Sequence, residues 1–515
     1  MNGHARRPSN SMAATMTQEA LSVLDEKRVL ENAAYTERHD LPYYLTSVSD
    51  YIPSSNNAFS LPALRHVIQR SCFALLPSIV QKRIHGDSKP ERLFPTSHLD
   101  GMRGLAAFFV FFCHLSYNCF IITYGFGLGE DGDNYHLLQL PIIRLFYSGP
   151  PMVSIFFVIS GYALSLKPLK QMRAHQWDGL LSTMSSSVFR RGFRLFLPTT
   201  ISTFFIFLML RLGFYENTRA FAEDRNMLRN ILEYHPWRHL TTTEQFWDWL
   251  WTLRNFVAVW SWDPYAGSTR YDVHLWTIPT EFRSSLFLFL CLIGLARCKS
   301  YLRISILCGI SYVVLRSDRW ELLLFLSGAI LAELDLIRAA SMTARGEKEI
   351  RMGPLRKAFW STVALAALYL MSFPDEWGNE TPGFVYLDSL IPEWFSVGYR
   401  YWQAFGSIML VWAVNNAPFL QDPFNTPAIQ YLGKISYALY LMHGPVIHVI
   451  GYAIEPWAWS ITGSDTEAQY KAGFLISTVL IIPCLLWAAD LFWRAFDIPC
   501  VRFARWIETQ CTVEE

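Results

Sequence analysis

The feature that most constrains this chain is a succession of apolar runs, each close to the length that crosses a bilayer. A helix needs about 20 predominantly apolar residues to span the ~30 Å hydrocarbon core. Runs of that order lie near residues 104–124, 150–167, 195–213, 277–296, 302–316, 320–338, 358–373, 400–416, 434–454 and 471–493. Lipid offers no partner to backbone N–H and C=O groups, so runs of this kind must be helical. The predicted fold class is all-α, a polytopic transmembrane helical bundle with about ten spans. Composition agrees. Charged residues make up 17% of the chain, against about 25% in soluble globular proteins.

Loop charge sets the orientation. Lys167, Lys170, Arg173, Arg190, Arg191 and Arg194 follow the second run, and Arg338, Arg345, Lys348, Arg351, Arg356 and Lys357 follow the sixth. By the positive-inside rule both stretches are cytosolic. The opposite loops are acidic, with Glu130, Asp131 and Asp133, then Asp375, Glu376, Glu380, Asp388 and Glu393. The scheme closes with both termini in the cytosol if the aromatic stretch Phe246 to Trp260 does not cross; that stretch is read as interfacial or re-entrant. The membrane itself is not specified, endomembrane or plasma membrane. The acceptor sequence Asn379-Glu380-Thr381 then falls outside the cytosol, where glycosylation would need it.

Residues 1–60 carry too little clustered apolar surface to offset backbone ordering and are expected to be a disordered cytosolic tail. Residues 61–94 read as a basic amphipathic segment on the membrane surface. Residues 95–495 hold the spans and 496–515 a cytosolic C-terminal tail. No removable secretory signal is evident in the first hundred residues. A net charge of +1 gives no field that would attract nucleic acid. Nine cysteines without a CxxC pair or Cys/His spacing point to neither zinc nor a disulfide framework, and no metal is expected. No GxSxG elbow, P-loop or Rossmann glycine pattern occurs.

Ionisable groups inside spans cost a few kcal/mol on insertion scales and are functional candidates by default. Arg103 and His114 stand eleven positions apart on the first run, close to three helical turns. Both therefore lie on one face, roughly 16 Å apart along the axis. That puts a cation at the cytosolic mouth and an imidazole near mid-membrane. A neutral imidazole can take the proton of an attacking hydroxyl, and an arginine can hold donor phosphates. Taken alone, the pair is explained as well by snorkelling and interhelical contact.

Further buried polar groups add to it. In HLWTIPTEFRSS, Glu281 sits just inside the fourth run with Thr277, Ser284 and Ser285 on its face; it would orient a histidine, accept from the acceptor substrate, or pair with an arginine. In YLGKISYALYLMHGPVI, Ser436, Tyr440 and His443 share a face, and Pro445 frees backbone carbonyls nearby. Arg190, Arg191 and Arg194 in RRGFRLFLP either grip phosphates or anchor topology. In SIFFVISGYALSL, Ser154, Gly161 and Ser165 form a stripe that lets helices approach closely.

The blocks RGLAAFFVFFCHL, FFVISGYALS, RRGFRLFLP, HLWTIPTEF and YLGKISYALYLMHGP, in that order, resemble the membrane acyltransferase 3 family, in particular its fungal-type members. The resemblance covers about residues 95 to 495. It implies a core of about ten transmembrane helices, an acyl-coenzyme A donor entering from the cytosol as co-substrate without other cofactor, and O-acylation of sugars, lipids or secondary metabolites. It makes His114 the catalytic base and Glu281 the acidic catalytic residue, with Arg103 and His443 in substrate binding. Arg191, Arg194 and Tyr440 complete the expected binding set. No SGNH-type hydrolase stretch is found, so a two-site relay is not implied. Gly444 stands where many relatives carry a bulky residue, a change expected to alter the acceptor pocket.

The expected function is transfer of an acyl group, acetyl first, from acyl-coenzyme A to a hydroxyl of a small-molecule, sugar or lipid acceptor. A transporter or permease would use the same buried charges as a substrate or proton pathway. That reading lacks the paired, interrupted halves usual in transporters.

Overall fold

The computed structural model describes residues 73–84, 93–129, 134–261, 267–346 and 352–513. Among these no strand occurs, in line with the all-α expectation. The principal helices are α1 (Ser97–Ser116), α2 (Gly149–Arg173), α3 (Trp177–Leu212), α4 (Phe214–Ala222), α5 (Thr242–Val257), α6 (Thr277–Gly294) and α7 (Ser300–Arg316). They continue with α8 (Trp320–Ala344), α9 (Pro354–Met371), α10 (Tyr399–Asn416), α11 (Pro427–Val446), α12 (Tyr452–Thr462), α13 (Glu467–Phe492) and α14 (Ile498–Cys511). The proposed tail 1–60 lies outside the described residues. Of the segment 61–94, residues 78–84 form a short helix in a separate N-terminal unit, with Ile79, Val80 and Ile84 exposed.

Every apolar run carries a helix. Among the described residues six stretches are long and apolar enough to cross a membrane: Ser97–Ser116, Gly149–Arg173, Trp177–Leu212, Val273–Gly294, Pro427–Thr462 and Glu467–Cys511. Helices α7 to α10 occupy the four other runs. The chain is thus a membrane helical bundle.

Three boundaries differ from those read along the sequence. Helix α1 ends at Ser116, although the apolar run continues to 124. The Asn118 carbonyl there accepts from the Asn230 amide at 3.0 Å, and the chain turns. Helix α3 starts at Trp177, so Arg190, Arg191 and Arg194 lie within a 36-residue helix; the connection after α2 is only residues 174–176. Lys170 and Arg173 close the last turn of α2, where cations suit the helix dipole. Most of the Phe246 to Trp260 stretch lies in α5, 16 residues long, ending at Val257 and held at its start by reciprocal Thr241 and Glu244 bonds. At ~1.5 Å per residue it is shorter than a hydrocarbon core. Trp247 and Trp251 face outward while Trp249 and Phe256 pack inward.

Small residues set how closely the bundle packs. Gly161 of α2 lies against the Phe325 carbonyl of α8, and Gly328 against the Val158 carbonyl, as the small-residue stripe in α2 leads one to expect. Gly104 of α1 meets the backbone of Gly433 in α11, and Gly433 meets the Asp100 carbonyl. Positions 104 and 433 step forward together to 114 and 443, so α1 and α11 run parallel. Pro445 leaves the Leu441 carbonyl without its helical donor, and Ser202 Oγ of α3 supplies one at 3.1 Å. Beyond it the helix continues through a π turn at Ile447–Gly451 into α12.

Candidate active site

Helices α1 and α11 bring His114 and His443 together, with ring centroids 5.1 Å apart. His274, in the short turn Val273–Trp276 that leads into α6, completes a cluster at 4.1 Å from His114 and 4.7 Å from His443. His274 and His443 are buried. The His114 ring makes no hydrogen bond among the described residues, and its Nδ1 is sealed from water. His443 Nδ1 is bonded to the Tyr440 carbonyl at 2.5 Å, which leaves Nε2 buried and unpartnered. Each of these two neighbouring rings therefore keeps a buried nitrogen without a partner.

His274 differs from both. Its Nδ1 meets Asp272 Oδ1 at 2.7 Å and its Nε2 meets Glu233 Oε1 at 2.9 Å. Carboxylates accept, so both nitrogens donate, the hydrogen-bond pattern of an imidazolium. Glu233 holds a second ring through Oε2, 3.0 Å from His448 Nε2. Burial alone would raise the Glu233 carboxyl, but its two imidazole partners outweigh burial and hold it well below the ordinary carboxylate range. Residues 223–241 deliver this carboxylate because Asn230 pins them to the turn after α1, donating to the Tyr117 and Phe120 carbonyls at 2.7 and 3.0 Å. Gly444 also takes part: a Cβ there would lie 2.8 Å from Asp272 Oδ2 and 2.9 Å from His274 Nδ1. The space that a side chain at 444 would need is taken by the Asp272–His274 pair.

One nitrogen from each of His114, His274 and His443 lies within 4.8 Å of the others, a spacing compatible with a metal ion. Both His274 nitrogens are engaged with carboxylates, however, so His274 has no lone pair to give.

A second polar group involves Arg103, Arg191 and Arg194. Arg103 Nε donates to Ser436 Oγ at 3.2 Å and its Nη2 to Asp100 at 3.0 Å. Arg191 Nη2 pairs with Glu281 Oε1 at 2.7 Å, and its Nε donates to Ser285 at 3.1 Å. Ser160 adds a second bond to Glu281 at 3.1 Å. Arg194 is exposed, and its nearest charged neighbours include Arg191, Arg103, Asp497 and Glu281.

Of the residues expected from sequence, His114 and His443 meet in the imidazole cluster, and Arg103, Arg191, Arg194 and Glu281 gather in the arginine group. Glu281 takes the arginine pairing among its expected alternatives, and the carboxylates beside the histidines are Glu233 and Asp272. Tyr440 binds its hydroxyl to Thr277 at 2.7 Å and to the His274 carbonyl, which fixes the entry of α6. Sequence reading did not single out His274, Asp272, Glu233 or His448. His274 opens the block HLWTIPTEF and was visible there, whereas nothing along the chain marks Glu233.

The sequence matches the Acyltransferase domain family, Acyl_transf_3, over residues 97–494. It is 33% identical to O-acetyltransferase PaAT-1 of Phomopsis amygdali, over 80% of this chain and 84% of that protein. Acyltransferase clz18 of Cochliobolus lunatus is 27% identical over 78% of this chain and 94% of its own length. Acyltransferase R4 of a Phoma species is also 27% identical, over 82% and 97%. No solved structure matches. With the family's domain spanning both the imidazole cluster and the arginine group, this chain belongs to the acyltransferase 3 family and is an acyltransferase.

Proposed function

We propose that the chain is an integral membrane O-acyltransferase that moves an acyl group, acetyl first, from acyl-coenzyme A to a hydroxyl of a small-molecule, sugar or lipid acceptor. The name of its Phomopsis amygdali relative supports O-acetyl transfer. The observation that carries the reading is His114, an imidazole without a hydrogen-bond partner beside a second free imidazole nitrogen on His443. His114 is the general base: it takes the acceptor hydroxyl proton as the oxygen attacks the thioester carbonyl. The tetrahedral intermediate collapses, the C–S bond breaks, and His114 returns the proton to the departing thiolate. His274, held between Asp272 and Glu233, places positive charge 4.1 Å from the His114 ring, where it stabilises the developing oxyanion.

Arg103, Arg191 and Arg194 receive the coenzyme A phosphates from the cytosolic side, with Glu281 setting the Arg191 fork. About ten spans and cytosolic termini complete the topology. The test is release of coenzyme A by purified protein in nanodiscs, supplied with acetyl-coenzyme A and a pool of hydroxylated metabolites. Release should depend on the pool, and His114→Ala should lose about 10²–10⁴ in rate. Wild-type turnover by a correctly folded His114→Ala variant would overturn the assignment.

A further inference from the structure

The polar interior does not end at the three clustered imidazoles. Asn118 follows His114 by one turn of chain, and Tyr452 follows His448 by another. Asn118 Nδ2 donates to the Tyr452 hydroxyl at 2.8 Å. The His448 and Tyr452 rings lie 5.1 Å apart. Glu455, 1% exposed, acts electrostatically on Tyr452 and on Cys119, next to Asn118. Asn118, Tyr452 and His448 thus form a polar lane beside the histidine cluster, and buried Glu455 follows Tyr452 by three positions along α12.

Several polar atoms along that lane have no partner. Asn118 Oδ1, His448 Nδ1, His443 Nε2 and Glu455 Oε2 are all buried without a partner among the described residues. Their neighbours fix what each can offer. Asn118 donates an amide hydrogen to Tyr452, and its unpartnered atom is the carbonyl oxygen. His448 places Nε2 against the Glu233 carboxylate and His443 places Nδ1 against the Tyr440 carbonyl. In each ring the bonded nitrogen carries the hydrogen, and the free one presents a lone pair. A buried group of this kind left unmet is destabilising. A monohydroxy apolar ligand would satisfy none of them beyond the reacting centre.

We infer that Asn118, His448 and Glu455 form an acceptor subsite, which receives a second hydroxyl while the reacting hydroxyl meets His114, so that the acceptor is a polyol. The assignment of the reacting hydroxyl rests on the acyl-transfer reading; the affinity of the lane for hydroxyl donors does not. The Tyr452 hydroxyl retains one hydrogen to donate, which suits a ligand whose hydroxyls both give and accept.

Binding without turnover tests this. His114→Ala protein in nanodiscs is titrated with cyclohexanol and with cis-1,2-cyclohexanediol, two probes that share a ring and differ by one hydroxyl. Binding is followed by saturation-transfer NMR. The diol is expected to bind about 10-fold more tightly, the worth of one well-placed hydrogen bond. Adding Asn118→Leu, or separately Glu455→Gln, should cut that preference to about 3-fold or less. Should Asn118→Leu fail to elute as a folded particle, Asn118→Ser carries the same comparison. Equal binding of the two probes, binding of neither, or a diol preference that survives both added substitutions overturns the subsite. Failure of the acyl-transfer reading shows itself separately, as absence of acceptor-dependent coenzyme A release by the wild-type protein.

Discussion

Gly104 and Gly433 lie backbone to backbone where α1 crosses α11, and a Cβ on Gly104 would collide with the Gly433 amide nitrogen and the preceding carbonyl carbon. The contact decides more than packing. The same parallel step carries His114 and His443 to within 5.1 Å of each other, and the bond from Arg103 to Ser436 lies beside it. Helix spacing at the glycine pair therefore sets imidazole spacing three turns away.

Gly104→Val should accordingly abolish coenzyme A release while leaving the protein in the membrane. Overpacking of this kind costs about 1–3 kcal/mol, and the imidazole pair depends on sub-ångström placement. Activity and thermal unfolding in nanodiscs would be compared with Gly309→Val, an open position where an added Cβ meets nothing within 4 Å. Equal activity in the two variants would show that the glycine contact does not position the histidines.

Arg191 and Glu281 form a desolvated pair, 9% and 20% exposed at their side chains. Arg191→Ala leaves the Glu281 carboxylate with the Ser160 hydroxyl as its remaining bond, and truncating one partner of a buried pair costs about 3–5 kcal/mol. Glu281→Gln, which keeps shape and removes charge, should be milder. With the pair at the proposed donor end of the site, both variants should raise KM for acetyl-coenzyme A more than they lower kcat. Steady-state kinetics at fixed acceptor distinguishes this from Glu281 acting on His114, in which case kcat would fall with KM unchanged.

Stability should fall on mild acidification. Burial pushes His235 down to about 3 from the ordinary imidazole value of 6.5, and its Nδ1 is bonded to the Tyr215 carbonyl at 2.9 Å. The unfolded chain thus takes up a proton that the folded one refuses. The folded-state advantage is complete above pH ~6.5 and is lost progressively as pH falls toward 3. Glu233, also held below its ordinary value, adds a loss of the same sign below the usual carboxylate range. Midpoints of thermal unfolding between pH 7 and 5 should decline in wild type. They should decline less in His235→Asn, whose amide retains a donor without titrating; parallel curves would count against this source.

The sequence by itself determined the solvent and the class of fold. Each apolar run became a helix because lipid leaves the backbone no other partner, and regular spacing along one helix was enough to align Arg103 with His114 and Ser436 with His443. The block order also carried the family. Tertiary structure alone decided which groups meet across elements. Glu233 comes from an irregular segment with no periodicity to mark it, and it reaches His274 and His448 through the Asn230 contacts with the turn after α1. Glu281 had several possible partners in sequence and takes Arg191, because α3 begins well before its apolar run and carries that arginine inward. Gly444 was legible in sequence only as a small residue beside His443; the packing shows that the space a side chain would need there holds a carboxylate and its imidazole. Local periodicity fixes which face a side chain is on, whereas a hydrogen-bond partner hundreds of residues away depends on how helices are packed and where their connections fold back.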